Sequence, residues 1–347
     1  MHATPHAVSP PAPAAAPRAT DRGADTAPWQ RELARAIRDP ADLCRALGLD
    51  PALATAAPAG FPLLVPRPFV ARMEHGNPHD PLLRQVLPVG AEAVEQSGFT
   101  ADPLHEAAAL AAPGLVQKYA GRALVLVSGA CAVHCRYCFR REFPYAEHGA
   151  TLAGTEAAVE AIAADETLTE AILSGGDPLM ADDARLAALV RRLDAIPHLR
   201  RLRIHTRLPI VLPERVTDAL VAMLAASRLA TVVVVHANHP AELDDAVAVA
   251  LRRLAAAPAL LLNQAVLLAG VNDSAAALRG LSERLVDIGV LPYYLHLLDR
   301  VRGAGHFEVP EARGLELHRQ LRDTLPGYAV PRLARELPGE PAKVWIA

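Results

Sequence analysis

The sequence predicts an α/β protein centred on a parallel sheet with helices packed on its outer face. Two observations lead there. From Arg122 onward, short apolar, mostly β-branched runs alternate with helical patterns, the rhythm of strand–helix–strand units. The runs are apolar almost throughout, as expected of strands covered on both faces. A third observation locates the chemistry. Three of the four cysteines, Cys131, Cys135 and Cys138, directly follow the first of these strands, and in such sheets the reactive groups belong at the C-terminal strand ends.

Taken in order, residues 1–27 are rich in Ala and Pro and lack periodicity, which predicts a disordered tail. They also lack the apolar stretch of a signal peptide. Residues 28–112 read as a helical N-terminal region. It starts with two short amphipathic helices within 28–48, separated by Pro40, and the second holds Cys44 as a buried structural thiol. Residues 50–120 read as short helices and connections. The core is assigned to 113–347. Its strands are expected at Ala123–Ser128, Ala171–Ser174, Leu202–Thr206, Thr231–His236, Leu260–Leu268 and Tyr293–Leu298. Helices are expected around Thr155–Ala164, Ala184–Ile196, Val216–Ala226, Ala241–Ala256 and Ala275–Ile288. Six units over roughly 175 residues are too few for an eight-unit barrel.

Composition narrows the function. A net charge of −3 without basic blocks argues against a nucleic-acid partner. No apolar run reaches the length of a membrane span. Four unevenly spaced cysteines do not form a secreted disulfide framework, and clustered free thiols suit a reducing compartment, the cytoplasm. Lys118 and Lys343 are the only lysines, so chemistry that needs a lysine amine has two candidates.

Thiolates at C-x3-C-x2-C spacing can hold three irons of a [4Fe–4S] cluster, leaving the fourth iron open to an exogenous chelator. Zinc would need a further ligand such as His134, a redox disulfide would leave one cysteine idle, and a ferredoxin needs four thiolates. Other polar groups fall at the predicted strand ends. They are Ser174-Gly175-Gly176-Asp177, His205-Thr206-Arg207, His236-Ala237-Asn238-His239, Asn263-Gln264 and Asp299. Asp177 reads either as a helix cap or as a partner for an ammonium group. Arg207 is a candidate partner for a carboxylate, and the two histidines of the fourth strand end read as capping groups.

The cysteine run, with aromatic Tyr137 before its last member, resembles the signature of the radical S-adenosylmethionine (SAM) enzymes. That resemblance implies a partial (β/α)6 barrel and chelation of SAM at the open iron, with Tyr137 near the adenine. Gly175, Gly176 and Asp177 resemble the motif that contacts the SAM amino group. The stretches LVQKYAGRALVLVSGACAVHCRYCFRREFPY, LSGGDPL, RIHTRLPIVLPERV, VVHANHPAEL, LNQAVLLAGVND, PYYLHLLDRVRGAGHF and GYAVPRLARELPGEPAK are similar to the lysine 2,3-aminomutase family. The similarity spans residues 113–345 in collinear order and is nearest the branch that makes (R)-β-lysine for elongation factor P.

Residue by residue, the resemblance implies Cys131, Cys135 and Cys138 as cluster ligands and Lys343 as the covalent anchor of pyridoxal 5′-phosphate (PLP). It puts Tyr119, Arg122 and Lys118 around PLP, and His236 and Gln264 at SAM. Arg140 would pair with the substrate α-carboxylate, while Asp299 and Glu336 would hold the ε-ammonium. Two positions depart from the clostridial-type pattern: Lys118 replaces an arginine and Glu336 an aspartate. The C-terminal zinc-binding cysteines of those enzymes have no counterpart. The implied activity is 2,3-amino migration on L-lysine, fed by an external electron donor and linked to elongation factor P and its lysyl ligase. An aminomutase acting on glutamate, a PLP-independent radical-SAM enzyme and a non-enzymatic zinc or Fe–S module stand as alternatives.

Overall fold

The computed structural model describes residues 26–55 and 61–347. The tail expected over 1–27 lies almost wholly outside them. Two short antiparallel strands, β1 (Leu110–Ala112) and β2 (Leu115–Tyr119), lead into β3 (Arg122–Ser128). The strands β4 (Glu170–Gly175), β5 (Arg201–Thr206), β6 (Ala230–Val235), β7 (Ala259–Val266) and β8 (Leu291–His296) follow, each parallel to its predecessor. β9 (Arg332–Arg335) extends the parallel series, and β10 (Val344–Trp345) returns antiparallel to it. Strand order in the sheet equals chain order, as expected when each crossover folds back beside its own strand.

Four short helices precede the sheet: α1 (Pro28–Ala34), α2 (Pro40–Ala46), α3 (Arg67–Val70) and α4 (Pro81–Arg84). The crossovers carry α5 (Leu152–Ala164), α6 (Asp183–Asp194), α7 (Leu208–Val211), α8 (Asp218–Ala226), α9 (Asp245–Ala255), α10 (Ala275–Asp287) and α11 (Glu311–Thr324). Five of these begin at a residue whose side-chain oxygen accepts a backbone N–H of the first turn: Thr151, Asp182, Thr217, Asp244 and Ser274. Each such cap contributes about 1 kcal/mol and sets where its helix starts. No helix among the described residues is long and apolar enough to cross a membrane.

The pleat separates core from cavity. In β5, Leu202 and Ile204 are buried in the main apolar core with Leu186, Leu189 and Leu220 of α6 and α8, whereas Arg203 and His205 face the opposite way into a cavity. Alternation of this kind gives one strand an apolar outer face and a chemical inner face.

All six expected strands and the crossover helices form. The differences lie at the ends. Pro40 does not merely separate α1 from α2. It is the first residue of α2, and the Asp39 carboxylate accepts from the N–H groups of Ala41 and Asp42, because proline suits a first turn where no N–H is needed. The span 50–120 contains β1 and β2, and α11, β9 and β10 were not expected. Strands of two to five residues are too short for periodicity to reveal. Their stability comes from partners such as Arg335 opposite Val344. Cys44 is fully buried, as expected.

The N-terminal region also clamps the cysteine loop from outside. Arg136 is fully buried and forks onto Glu92 at 2.8 and 2.5 Å, donates to the Phe61 carbonyl, and stacks over the Phe61 ring. Arg141 reaches the same Glu92. The backbone N–H groups of His134 and Arg136 donate to the carbonyls of Leu64 and Gln85.

Candidate active site

One cavity of about 530 Å³ opens inside the barrel at the C-terminal strand ends. Every residue that the resemblance assigns to cluster, SAM, PLP or substrate lines it, whereas Asn238, His239 and Asn263 of the strand-end groups do not. The strands supply inward positions: Arg122 from β3, Ser174 from β4, Arg203 and His205 from β5, Gln264 from β7, His296 from β8. The loops after them supply Cys131, Cys135, Cys138, Arg140, Asp177, His236 and Asp299, and the C-terminal hairpin supplies Glu336 and Lys343.

The three thiols lie near enough to feel one another's charge. Burial pushes the Cys131 thiol well up, and Cys138 and Cys135 add to the effect. Burial and Cys135 raise Cys138 to about 11. No three His, Cys, Asp or Glu side chains among the described residues gather around a single-ion position. A cuboidal cluster takes each cysteine at a different iron, so its ligands need not converge on one point. Three soft donors facing a cavity, with Arg207 donating to Cys135 Sγ at 2.6 Å, fit such a cluster and the negative charge it carries.

Gly175 at the end of β4 and Gly176 just after it answer to packing. Gly175 has φ +123°, and a Cβ there would meet the Ser128 carbonyl at 2.3 Å; at Gly176 it would meet the Ala130 carbonyl at 2.4 Å. The end of β4 thus docks directly on the cysteine loop, sealed by Gly176 N–H to Ser128 O and Asp177 N–H to Ala130 O. Asp177 is buried, and its carboxylate accepts from the N–H groups of Leu179, Arg207 and Leu208 and from Thr206 Oγ1. In this structure it is a cap that ties the ends of β4 and β5 together.

From Arg140, beside the cysteine loop, to Lys343 the charges alternate. Arg140 forks onto Glu106 through Nε at 2.5 Å and Nη2 at 2.9 Å, and its Nη1 donates to Ser174 Oγ and the Gly175 carbonyl. Lys118 Nζ lies 2.9 Å from Glu106 and 2.7 Å from Glu336, and Lys343 Nζ lies 2.5 Å from Glu336. Burial pushes the Glu336 carboxyl up, but the Lys343 and Lys118 ammonium groups outweigh it and hold it well below the usual range. Asp299 goes the opposite way. Burial and the Glu336 charge push it up to about 7, so the two carboxyls are driven apart by their surroundings. Burial and the neighbouring Glu336 carboxylate push the Tyr119 hydroxyl up, and the Arg122 guanidinium stacks 4.7 Å from the Tyr119 ring centre. The Lys343 amine on Glu336, aromatic faces and a buried His205 Nε2 without a partner make a donor set that fits a ring cofactor bearing a carbonyl and polar substituents.

Tyr137 is buried, and its hydroxyl meets Arg207 Nη1, Asn238 Nδ2 and His236 Nε2 at 2.6, 2.7 and 3.2 Å. Burial and the Arg207 charge hold His236 down to about 3, so its imidazole is neutral.

Sequence reasoning missed Glu106, Glu242, Arg203 and Arg332. Arg203 and His205 carry a signal, polar residues two apart in an otherwise apolar strand. Glu106 and Glu242 carry none, since only their buried partners mark them.

The description of a 4Fe-4S single cluster domain matches residues 118–200. The L-lysine 2,3-aminomutase of Haemophilus influenzae is 49% identical over 322 residues, covering 92% of this chain and 95% of that protein. The Escherichia coli L-lysine 2,3-aminomutase is 50% identical over 319 residues, covering 91% and 93%. The longer enzyme of that name from Acetoanaerobium sticklandii is 36% identical over 272 residues, 78% of this chain and 66% of the relative. Identity of this degree across nine-tenths of both chains shows that this chain belongs to the L-lysine 2,3-aminomutase family, a family of isomerases.

Proposed function

We propose that this enzyme converts L-lysine to (R)-β-lysine, with PLP carried on Lys343, and that the product serves the modification of elongation factor P through its lysyl ligase. The observation that carries the substrate reading is the charge layout of one cavity. A guanidinium, Arg140, lies by the cysteine loop, and two carboxyls, Asp299 and Glu336, lie beside Lys343. A substrate with a carboxylate at one end and an ammonium at the other matches both ends. The planar fork of Arg140 suits a carboxylate and here holds that of Glu106, which the substrate carboxylate would replace in part. Asp299 and Glu336 suit the ε-ammonium and select against shorter amino acids that cannot reach them. Glutamate, the main rival, would bring its second carboxylate against two others, which like-charge repulsion disfavours.

When bound, SAM at the reduced cluster supplies a radical able to take hydrogen from an unactivated C–H bond, and PLP supplies a carbonyl carbon on which nitrogen can be carried. The protein's own part is positioning and exclusion. Tyr119, Arg122 and Lys118 surround the PLP seat, while Tyr137, Gly175, Gly176, Asp177, His236 and Gln264 frame the SAM seat beside Cys131, Cys135 and Cys138. Enclosure of all these groups in one cavity keeps water from a reactive intermediate. Electrons would come from an external one-electron donor in the cytoplasm. The reciprocal coverage with the Haemophilus and Escherichia relatives, against partial coverage of the longer Acetoanaerobium enzyme, supports the short branch linked to elongation factor P.

Anaerobic incubation of reconstituted enzyme with L-lysine, SAM, PLP and dithionite, followed by chiral product analysis, tests the reading. (R)-β-lysine is the expected product. β-Glutamate from glutamate, without turnover of lysine, would overturn it, as would full activity after removal of PLP.

A further inference from the structure

Beneath the cysteine loop lies a buried polar network that the reaction scheme leaves without a task. Its centre is Arg207, 7% exposed, at the C-terminal end of β5. Its backbone N–H is fixed by Asp177 at 2.7 Å. The guanidinium is gripped from one side: Nη2 donates to Gln85 Oε1 at 2.7 Å and to Glu242 Oε2 at 2.9 Å, and both partners are fully buried. Glu242 is in turn held by the N–H groups of Asn238 and His239. From the other side, Nη1 reaches Cys135 Sγ and the Tyr137 hydroxyl, each at 2.6 Å.

The arrangement is a fixed dipole. The cation faces the Cys135 sulfur, and its compensating carboxylate, Glu242, lies behind it, away from the thiol. A buried ion pair is usually no more stabilising than an apolar replacement, so its orientation matters more than its contribution to folding. Reduction of the cluster adds one negative charge near the cysteine sulfurs. Hydrogen bonds and charges at those sulfurs are among the main controls of a cluster's potential.

We infer that Arg207, oriented by Glu242 and Gln85, is a positioning residue that raises the reduction potential of the cluster held by Cys131, Cys135 and Cys138 and so eases electron entry from a low-potential one-electron donor. The inference rests on the cluster reading, and iron content separates the failure of one from the failure of the other.

The test uses the full chain, reconstituted anaerobically without SAM. Iron and sulfide are assayed, and the midpoint potential is measured by titration followed by electron paramagnetic resonance. Glu242→Gln removes the far anion and is expected to shift the midpoint upward. The double variant Arg207→Met with Glu242→Gln removes both charges without leaving either buried alone. It is expected to make reduction at least tenfold harder, a fall of about 59 mV for one electron. If the double variant does not hold iron, Glu242→Gln decides alone. Midpoints equal to wild type in every variant that retains full iron would overturn the proposal. Wild-type protein that holds no iron and sulfide would instead overturn the cluster reading.

Discussion

Asp299 offers the sharpest test of how this cavity recognises its substrate. Its carboxyl is pushed up to about 7 by burial and by the neighbouring Glu336 charge, with Lys343 and Lys118 pulling it partly back. The free protein at pH 6 therefore holds Asp299 about nine-tenths protonated, and at pH 8 about nine-tenths ionised. A bound ε-ammonium, charged throughout this window, favours the ionised form. Lysine affinity should rise with pH by about tenfold between pH 6 and 8. Covalent use of the Lys343 amine would remove one of the charges that lower Asp299, which moves the titration up and not down. Asp299→Asn should flatten this dependence and weaken lysine binding at pH 8. Loss of a hydrogen bond to a charged partner costs about 1.5–3 kcal/mol, on the order of ten- to a hundredfold. The assay is a lysine titration of the PLP-loaded enzyme, followed by cofactor absorbance at pH 6, 7 and 8. A wild-type affinity independent of pH, or a slope that survives in Asp299→Asn, would refute the reasoning.

The same shift predicts a stability effect of opposite sense. A folded-state carboxyl raised above its unfolded value favours the protonated form, and the stability it contributes is lost as pH rises towards about 7. Asp299→Asn should therefore raise Tm above pH 7, by a small amount because the side chain is only half-buried; a lowered Tm there would contradict it. Glu106→Leu should destabilise the fold by about 3–5 kcal/mol, because it leaves the buried Arg140 cation without its carboxylate, although Lys118 keeps Glu336 as a partner. Urea unfolding of wild type and variant measures this, and a change under about 1 kcal/mol would show the pairs to be solvent-screened. Alanine at Cys131, Cys135 or Cys138 should abolish stable iron binding, whereas Cys44→Ala should spare it. Iron loss from Cys44→Ala would defeat the three-ligand reading. Borohydride reduction in the presence of PLP should label a peptide containing Lys343, and recovery of the label on Lys118 would reassign the anchor.

By itself the sequence determined the frame: six strands, their crossover helices, the cysteine loop at the rim and a choice between two lysines. These are local properties, set by the spacing of apolar residues and by caps such as Thr217 and Ser274 one turn from what they bind. Strand-end residues read from the sequence, among them Cys131, Cys135, Cys138, Asp177, His236, Gln264 and Asp299, meet at one cavity, because strand ends in a parallel sheet share a rim. The residues that only the family resemblance supplied, Lys118, Tyr119, Arg122, Arg140, Glu336 and Lys343, line the same cavity. What each side chain touches there was decided only by the fold. Asp177 reads in sequence as either a cap or an ammonium partner, and its hydrogen bonds here are those of a cap. Gly175 and Gly176 suggest close approach to a ligand, yet the close approach seen is to the cysteine loop. Lys118 and Glu336 are 218 residues apart in the chain, yet form an ion pair at 2.7 Å. Glu106 and Glu242 carry no local signal at all. Periodicity is written between neighbours in the chain, whereas a buried charge is defined by the partners that fill its surroundings, and those arrive from distant segments only when the whole sheet assembles.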